Sequence, residues 1–417
     1  MSPSFRIATR FLIAKKRSMI MSLCGISFGV GFFIVTQAQV KGFEEFFIKT
    51  ILGTDGAVRI EDKLQSTLAH VEAASSATGS TNFYQADRNN MRFVEGVEFP
   101  DQIARAISQL PNVASTSAVL KGQVSVQGPL RNDTAQLYGI VLDDHLAVSD
   151  LEEQILFGSI ESFRQTPTGL LIGRKLANRL QARVGDSLVI EAKGEQNRFR
   201  VCGIYETGVS DIDRVRLFVH LDQARSVLRK PHGVSFVQVS VFDRDRAIAD
   251  AAAIQNLTRH AAIAWQDREK VWLDVFKALQ VSAVITVSTI IFISGLGMFN
   301  TLVMIVMEKT REIAILRSMG YSRSDISSVF LWQGGVVLLV GIALGFALGA
   351  SVTYGISNLP LRIRGIFSTD NYVVEWSVYH YIYAALTAVI IVMFASLAPA
   401  RRAARLVPGD VIRGTAS

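Results

Sequence analysis

Residues 278–307 read ALQVSAVITVSTIIFISGLGMFNTLVMIVM and contain no Asp, Glu, Lys or Arg. A helix rises about 1.5 Å per residue, so about 20 apolar residues cross the roughly 30 Å hydrocarbon core of a bilayer. A charge at the centre of that core costs about 2.5–3.5 kcal/mol, which explains why membrane spans exclude charged residues. The stretch therefore predicts a transmembrane helix, and its excess length predicts that the helix continues as a stalk outside the bilayer.

Three further stretches are free of charge over a spanning length, namely Ser18–Val40, Ile326–Leu361 and Trp376–Ala400. Buried helices of soluble proteins rarely exceed about 20 residues. The first stretch follows a basic start, as a secretory signal does, but it is longer than the roughly 7–15 residues of a signal's apolar segment. We therefore interpret it as an uncleaved anchor, and the chain as a membrane protein with four transmembrane helices.

Basic residues are distributed unevenly between the segments that the four spans separate. Residues 1–18, the loop 308–325 and the tail from 401 together carry 13 Lys or Arg and four Asp or Glu, whereas 41–277 carries 28 and 30. An excess of Lys and Arg marks the cytoplasmic side of a membrane protein. We therefore expect both termini and the 308–325 loop in the cytoplasm. The net charge of +7 then reflects topology and does not indicate a nucleic-acid partner.

The long segment between the first two spans mixes strand-like and helix-like patterns. Its strand-like runs are Ala57–Ile60, Ala114–Val126, Gln136–Leu142, Ser187–Ala192, Phe199–Tyr205, Val215–Leu221 and Ser235–Phe242. Its helix-like runs are Asp101–Leu110, Gly173–Gln181, Leu221–Leu228 and Arg246–Thr258. Turn signals rich in Gly, Pro, Asn and Asp separate these runs. We therefore predict a large external α+β domain between the first and second transmembrane helices.

Small residues recur at four-residue steps in two spans. They are Gly25 and Gly29 in the first span and Gly341, Gly345 and Gly349 in the third. This spacing places them on one helix face, where bare backbones can approach each other closely. The pattern predicts helix packing, within the chain or between protomers; the alternative is a chance recurrence in Gly-rich helices.

The sequence offers little for catalysis or metal binding. It contains no Gly-Lys dipeptide, and therefore no P-loop, and no His-Glu-x-x-His motif. His145 follows Asp143 and Asp144, a pattern that an exposed acidic turn explains better than a metal or acid/base cluster. Cys24 and Cys202 do not form a disulfide framework. We predict no catalytic and no metal-binding residue, and because the spans almost lack ionisable groups, we expect any transport to be driven from outside the chain.

The loop between the second and third spans has a pattern of its own. Glu308–Leu316 is typical of a short helix, with Ile313 and Leu316 one turn apart and able to dock on an apolar surface. Gly320 can end that helix, and Ser322 or Ser324 can cap the next one. The residues are equally consistent with a rigid cytoplasmic knob and with a plain polar connection.

This loop, EKTREIAILRSMGYSRSDI (308–326), resembles the coupling loop of the MacB/FtsX/LolC-type permeases, the mechanotransmission (type VII) class of ABC systems. Other stretches of the chain carry the same resemblance, which is strongest to the LolC/LolE lipoprotein-releasing branch. They are RIATRFLIAKKRSMIMSLCGISFGVGFFIV (6–35), VKGFEEFFIKTILG (40–53), LLIGRKLANRLQARVGDSLVI (170–190), FRVCGIYETGVSDID (199–213), AIAWQD (262–267) and LAPARRAARLVPGDVIR (397–413). The 61–98 stretch, which has a Ser/Ala/Gly-rich insert, and the 361–376 loop depart from the branch.

The resemblance implies partners and a mechanism. A cytoplasmic ABC ATPase dimer, which uses ATP and Mg²⁺, would grip the loop, while this chain would bind no cofactor and would not itself be an enzyme. The implied coupling residues are Glu308, Arg311, Glu312, Ile313, Leu316, Arg317 and Gly320. A second permease copy or paralogue, membrane lipid, a lipoprotein and a periplasmic carrier would be the other partners, in a bacterial inner membrane. Phe163–Thr168 is a candidate carrier-docking segment. An efflux permease like MacB, a signal transmitter like FtsX and a membrane-anchored enzyme remain alternatives.

With this resemblance the chain divides into nine predicted segments. They are a cytoplasmic amphipathic N-terminal helix (1–18), a first span (19–40), the periplasmic α+β domain (41–272), a second span (276–307), the cytoplasmic coupling loop (308–325), a third span (326–356), an external loop (357–375), a fourth span (376–399) and a cytoplasmic tail (400–417).

Overall fold

The computed structural model describes residues 7, 8, 10, 16–65, 92–94, 96–359 and 372–405 of the 417-residue chain. Most of the predicted N-terminal helix, of the 61–98 insert and of the 361–376 loop lies outside these described residues. The chain forms two compact units. The described residues of the first, here the membrane unit, lie within 1–45, 274–361 and 371–417, and those of the second, the sheet domain, lie within 46–273.

The helices and strands follow one another along both units. In chain order they are α1 (Lys16–Asp55), β1 (Val58–Gln65), β2 (Arg92–Val94), α2 (Pro100–Ile107), β3 (Val113–Gln127), β4 (Asn132–Ile140), α3 (Leu142–Val148), β5 (Ile155–Gly158), α4 (Ile160–Gln165), β6 (Gly169–Gly173), α5 (Arg174–Leu180), β7 (Ser187–Ala192), β8 (Glu195–Tyr205), α6 (Ser210–Val215), β9 (Arg216–His220), α7 (Leu221–Leu228), β10 (Phe236–Val241), a 3₁₀ turn (Arg244–Arg246), α8 (Ala247–Thr258), β11 (His260–Ala264), α9 (Trp265–Arg268), α10 (Lys270–Glu308), α11 (Thr310–Ser318), α12 (Arg323–Ser357) and α13 (Val378–Ala404).

Four helices of the described chain, α1, α10, α12 and α13, are long and apolar enough to cross a membrane. The most apolar windows of these helices have a mean hydropathy between 2.0 and 2.3. The prediction of four transmembrane helices is therefore confirmed. With 39 residues, α10 is about 58 Å long, which exceeds the thickness of a hydrocarbon core.

Two of these helices contribute to both units. The division between the units falls inside α1, after Glu45, and inside α10, after Leu273. No break in secondary structure accompanies either division, since α1 continues to Asp55 and α10 begins at Lys270. The two helices that enter the sheet domain are therefore the two that flank it in the sequence.

The sheet domain contains one mixed sheet of eleven described strands, whose main order is β11-β1-β10-β3-β4-β9-β6-β8-β5. Most neighbours are antiparallel, while β4–β9 and β6–β8 are parallel pairs. Short helices cover the sheet, and the aliphatic side chains between them form one large core. The predicted α+β domain between the first two spans is therefore confirmed.

Each of the seven strand-like runs in the sequence overlaps a strand of the sheet. Sequence reasoning did not find β2, β5, β6 and β11, which have three to five residues each. Runs this short carry too few alternations for a period-two pattern to be recognised. Their strand conformation depends on hydrogen bonds to neighbours that are distant in the sequence.

Candidate functional site

The loop between α10 and α12 contains the helix α11, which is held by local hydrogen bonds. The Thr310 hydroxyl donates to the carbonyls of Val306 and Met307 at 2.9 and 2.8 Å. The Lys309 ammonium pairs with Glu312 one turn later. These bonds join α11 to the end of α10, so that little free chain separates the two helices.

The turn from α11 into α12 is equally well defined. Gly320 has a φ of 100°, a left-handed conformation that ends the helix as the sequence predicts. The Tyr321 N–H then donates to the Leu316 carbonyl at 3.2 Å. Ser322 begins α12 with a capping box, because its hydroxyl accepts from the Asp325 N–H at 3.1 Å and the Asp325 carboxylate accepts from the Ser322 N–H at 2.9 Å.

One face of α11 packs on the membrane unit itself. Ile313 and Ala314 are buried, and Ile313 belongs to the core of the helical bundle. Leu316 and Tyr321 pack against the same core. The apolar surface on which Ile313 and Leu316 dock is therefore the chain's own bundle. The structure favours a fixed helical knob over a plain polar connection.

The opposite face of α11 is exposed and combines charge with apolar surface. Glu308, Arg311 and Glu312 are exposed, Gly320 is exposed at the turn, and Arg317 is half-buried. Ile315 and Met319 are also exposed, by 47% and 73%. Sequence reasoning did not single out these two residues, although their i, i+4 spacing places them together on the face opposite Ile313.

The three glycines of α12 lie against α1. A Cβ atom added to Gly345 would approach the Val30 side chain to 2.7 Å, closer than side chains tolerate. The three pairs are Gly341 with Ile26, Gly345 with Val30 and Gly349 with Ile34. The four-residue steps of both helices therefore match, and the contact lies within one chain.

Gly25 and Gly29 lie on another face of α1, against α10. A Cβ atom on Gly25 would lie 2.8 Å from the Ser294 hydroxyl, and one on Gly29 would lie 2.8 Å from Ile291. Residues 25–29 read Gly-Ile-Ser-Phe-Gly, which matches the nucleophile-elbow pattern of hydrolases. That elbow requires a strand-to-helix turn, whereas Ser27 lies buried inside a continuous helix. The motif therefore serves helix packing here.

The end of α1 carries a buried ion pair in the sheet domain. The guanidinium of Arg216, on β9, donates to the two carboxylate oxygens of Asp55 at 2.8 and 3.3 Å. The amide of Gln238, on β10, donates to the same carboxylate at 3.3 Å. Burial lowers the pKa of Arg216, but the charge and the hydrogen bond of Asp55, together with the nearby Tyr138 and Tyr205, raise it by more in sum, so that Arg216 stays charged. The Arg216 guanidinium also lies 4.3 Å from the centre of the Tyr138 ring.

Backbone bonds fix the chain around this ion pair. The Gly53 carbonyl, in the last turn of α1, accepts from the Asp150 N–H at 2.7 Å. The Ala57 N–H donates to the Val239 carbonyl, and the Trp265 N–H donates to the Ala57 carbonyl, both at 2.8 Å. These partners satisfy polar groups that a helix end otherwise leaves unpaired.

The start of α10 is bound to the same place. Arg268, two residues before α10, donates to the Gly56 carbonyl at 3.2 Å. The Phe47 and Trp272 rings, from α1 and α10, lie 5.6 Å apart between centroids. Within the sheet domain, the last turns of α1 and the first turn of α10 are therefore attached to each other and to the sheet. We call Asp55, Arg216, Gln238 and Arg268 the helix-end cluster.

The structure corrects the expectation that Asp143, Asp144 and His145 form an exposed acidic turn. His145 lies on α3 with 1% of its surface exposed, whereas Asp143 and Asp144 face solvent. The segment is thus a helix with a buried histidine and not an exposed acidic turn. The Ser117 hydroxyl lies 3.2 Å from Nδ1 of His145. Burial, and then the nearby charge of Arg216, lowers the pKa of His145 to about 4.

The candidate carrier-docking segment Phe163–Thr168 is only partly accessible. Phe163 is fully buried, and its ring stacks on His220 at 4.3 Å between centroids. Its side chain is therefore a core element and cannot form a docking contact. Among the described residues, no group of three or more His, Cys, Asp or Glu side chains is placed to hold a metal ion.

Two family models cover most of the chain. Residues 19–257 match the MacB-like periplasmic core domain, and residues 284–408 match the C-terminal region of FtsX-like permeases. The first match ends before α10, and the second begins inside α10.

Individual relatives resemble the chain over its whole length. The lipoprotein-releasing system transmembrane protein LolC of Xylella fastidiosa (strain 9a5c) is 26% identical over 438 residues, which cover 98% of each chain. The protein of the same name from Neisseria meningitidis serogroup B (strain ATCC BAA-335 / MC58) is 24% identical, again with 98% coverage of each chain. The crystal structure of the extracellular domain of the ABC-type transporter YknZ from Gram-positive bacteria aligns with a TM-score of 0.33 and 14% identity, over 49% of this chain and 98% of that one.

Proposed function

Since the chain belongs to the family of FtsX-like ABC transporter permeases with a MacB-like periplasmic core domain, we propose that it releases lipoproteins from the inner membrane. In this proposal it is the membrane subunit of an ATP-driven complex and passes lipoproteins toward a periplasmic carrier. Relatives of this kind are permease components of ABC transporters and work with an ATPase. The observation that carries the proposal is similarity to two lipoprotein-releasing permeases over 98% of both chains.

The coupling step is assigned to α11. A partner ATPase would contact the exposed surface formed by Arg311, Glu312 and Ile315 of α11, together with Glu308 at the end of α10 and Met319 just after α11. Ile313 and Leu316 would act indirectly, since they fix α11 to the bundle. A helix that is both exposed to a partner and packed on the bundle can pass on a displacement without first changing its own shape.

Transmission to the sheet domain is assigned to α1 and α10. Both are continuous across the division between the units, and both are bound at the helix-end cluster. Movement of either helix would therefore act on the sheet through buried charged and backbone contacts. In mechanotransmission of this kind, the two helices pass movement from the membrane unit to the sheet domain, and no substrate needs to pass through the helical bundle.

The remaining partners follow from the same proposal. A dimer of ATPase subunits would use ATP and Mg²⁺, while this chain would bind no cofactor and catalyse no reaction. A second permease, identical or paralogous, would complete the membrane part. Both termini would lie in the cytoplasm of a bacterial cell, because basic residues concentrate there.

The ATPase assignment is tested by reversing charges on the exposed face of α11. We expect Arg311→Glu combined with Glu312→Lys to abolish co-purification of the ATPase while the protein still inserts into the membrane. Glu195→Lys is the matched control, because Glu195 is an exposed, ion-paired acid in the sheet domain. Undiminished ATPase binding by the double variant would refute the coupling role of α11.

The substrate assignment is tested by depletion. Cells that lose the chain, and that have no paralogue, should retain lipoproteins in the inner membrane, as measured by membrane fractionation. Normal release of lipoproteins would refute the proposal. Loss of resistance to exported small molecules would then indicate efflux, and loss of activation of periplasmic partners would indicate signalling.

A further inference from the structure

Asp213 is an acidic residue inside the sheet domain, on the short helix α6. Its exposed fraction is 0%, and its oxygen Oδ1 accepts from both the N–H and the hydroxyl of Thr207, at 2.9 and 2.8 Å. Its other oxygen, Oδ2, is buried and has no hydrogen-bond partner among the described residues. Burial of a polar group without a partner is costly, and burial of a charged one is costlier still. The charged form of Asp213 is therefore penalised at this position.

The bonds to Thr207 close a turn at residues 206–213, which we call the Asp213 turn. Gly208 has a φ of 90°, and the Val209 N–H donates to the Thr207 hydroxyl at 3.1 Å. The turn is thus held by the Thr207 side chain and by one oxygen of Asp213. An asparagine could accept the same two bonds without carrying a charge. The carboxyl group therefore adds a dependence on protons that closure of the turn does not itself require.

The Asp213 turn packs on α5. The backbone of Asp213 leaves no room for a Cβ atom on Gly173, the residue directly before α5. The Lys175 ammonium, on α5, donates to the Ser210 hydroxyl, at the start of α6. Closure of the turn therefore holds α6 against α5.

The charged groups around Asp213 are mostly paired with one another. Arg174 pairs with Glu206 at 2.5 Å, and Arg179 pairs with Asp133. The titratable or charged groups near α6 are Arg174, Lys175 and Arg179 on α5, Asp133 and Tyr138 on β4, Tyr205 and Glu206 before α6, Asp211 and Arg214 on α6, and Arg216 after it, with none on β6. Burial raises the pKa of Asp213 to about 6; Glu206 acts in the same direction, whereas the bonds from Thr207 and the charge of Lys175 act against it.

Closing the turn takes the carboxyl group of Asp213 out of water. In the open turn this group would titrate near its ordinary pKa of 3.8, so closure raises the pKa. Closure is therefore favoured at low pH, where the carboxyl group is neutral. This contribution is lost as the pH rises through the pKa of about 6.

The helix α6 leads directly into β9, whose first residue, Arg216, binds Asp55 in the helix-end cluster. The Tyr205 hydroxyl, just before the Asp213 turn, donates to the Arg216 carbonyl at 3.0 Å. We propose that Asp213 is a proton-operated latch on this connection. With a neutral carboxyl group it holds α6 and the start of β9 in place. Ionisation loosens both and weakens the hold of Arg216 on the end of α1, whatever the chain transports.

The test is hydrogen exchange of the full chain in lipid nanodiscs at about pH 5 and about pH 8, corrected for the intrinsic exchange rate at each pH. We expect the protection of amides 207–216 to be about tenfold higher at the lower pH, from pKa values of about 6 in the closed turn and 3.8 in the open one. Protection of amides 52–55 of α1 should change in the same direction. Amides of β3 and β4 are the internal reference and should not gain protection.

One substitution removes the titrating group and keeps the acceptor for Thr207. Asp213→Asn should abolish the pH dependence and give the turn, at about pH 8, the protection that the wild-type chain has at about pH 5. Asp211→Asn is the matched control, because Asp211 is an exposed acid two residues earlier on the same helix. This control variant should keep the tenfold change.

The outcomes are decisive even if Asp213→Asn does not fold. Equal protection of the turn at the two pH values in the wild-type chain overturns the latch. A pH dependence that Asp213→Asn retains, or that Asp211→Asn removes, also overturns it. A response confined to residues 207–215 overturns the link to the helix-end cluster. Titration of His145 cannot mimic the expected result, because its lowered pKa makes the folded chain less stable as the pH falls.

Discussion

Removal of the ion pair in the helix-end cluster is expected to loosen the sheet domain. The perturbation is Asp55→Asn, which keeps the shape of the side chain but removes its charge. Only 7% of the Arg216 side chain is exposed, and its two hydrogen bonds to Asp55 are 2.8 and 3.3 Å long. In the variant, Arg216 is therefore a buried charge without an ionic partner. Removing one member of a buried ion pair typically costs about 3–5 kcal/mol, so we expect the free energy of opening of the sheet domain to fall by an amount in this range.

A double-mutant cycle isolates the interaction. The variants are Asp55→Asn, Arg216→Met and their combination, in the full chain. We expect the combined loss to be smaller than the sum of the single losses by about 2 kcal/mol or more, because the double variant leaves no buried unpaired charge. Hydrogen exchange of the β9 and β10 amides reports the local free energy of opening.

The control is the exposed pair of Arg229 and Glu195, whose side chains are 58% and 55% exposed. Glu195→Gln should lower the same free energy by less than about 1 kcal/mol. The reasoning is refuted if Asp55→Asn and Glu195→Gln have equal effects. It is also refuted if the loss of free energy in the double variant equals the sum of the losses in the two single variants to within about 0.5 kcal/mol.

Three further predictions concern other parts of the chain. Gly345→Leu should lower the thermal unfolding temperature in detergent, because its Cβ approaches Val30 to 2.7 Å, whereas Gly335→Leu, with open space around it, should not; equal effects would contradict the packing. The pKa of His145 is lowered to about 4, so between pH 6.5 and 4 the unfolded chain binds a proton that the folded chain does not, and the free energy of unfolding should fall by about 3 kcal/mol as the pH falls through that window. If the pH dependence of unfolding in acid is unchanged in His145→Gln, this prediction is refuted. Ile315→Asp should weaken ATPase binding about tenfold without loss of inserted protein, and full retention of the ATPase would exclude Ile315 from the contact.

Sequence reasoning recovered the elements that depend on long, regular patterns. The four spans follow from uncharged runs, and the seven long or strongly patterned strands follow from alternation. The positions of the glycines were also readable, since a four-residue step fixes a helix face whatever lies opposite. Sequence reasoning could not show that Gly345 contacts Val30 of the same chain, because that contact depends on which helix packs against α12.

The residues that sequence reasoning missed or misplaced depend on contacts between distant segments. His145 looked exposed beside two acids, but α3 turns it onto the sheet beside Ser117. Ile313 was expected to dock on an apolar surface, but only the tertiary structure shows that this surface is the chain's own bundle and that Ile315 stays exposed. Phe163 was placed in a candidate carrier-docking segment, although it is buried in the core and His220 stacks on it.

The amino-acid sequence by itself determined that this chain crosses a membrane four times, because solvation of each residue by lipid or water is a local property that composition records. Local turn and capping residues also indicated the short helix in the 308–325 loop and its end at Gly320, but they left open whether the loop is a rigid knob. Only the tertiary structure decided that Asp55 meets Arg216, 161 residues away, and that β5 ends at an open edge. Those features depend on strand order and on burial, which arise from the pairing of distant segments and leave no periodic trace in either segment alone.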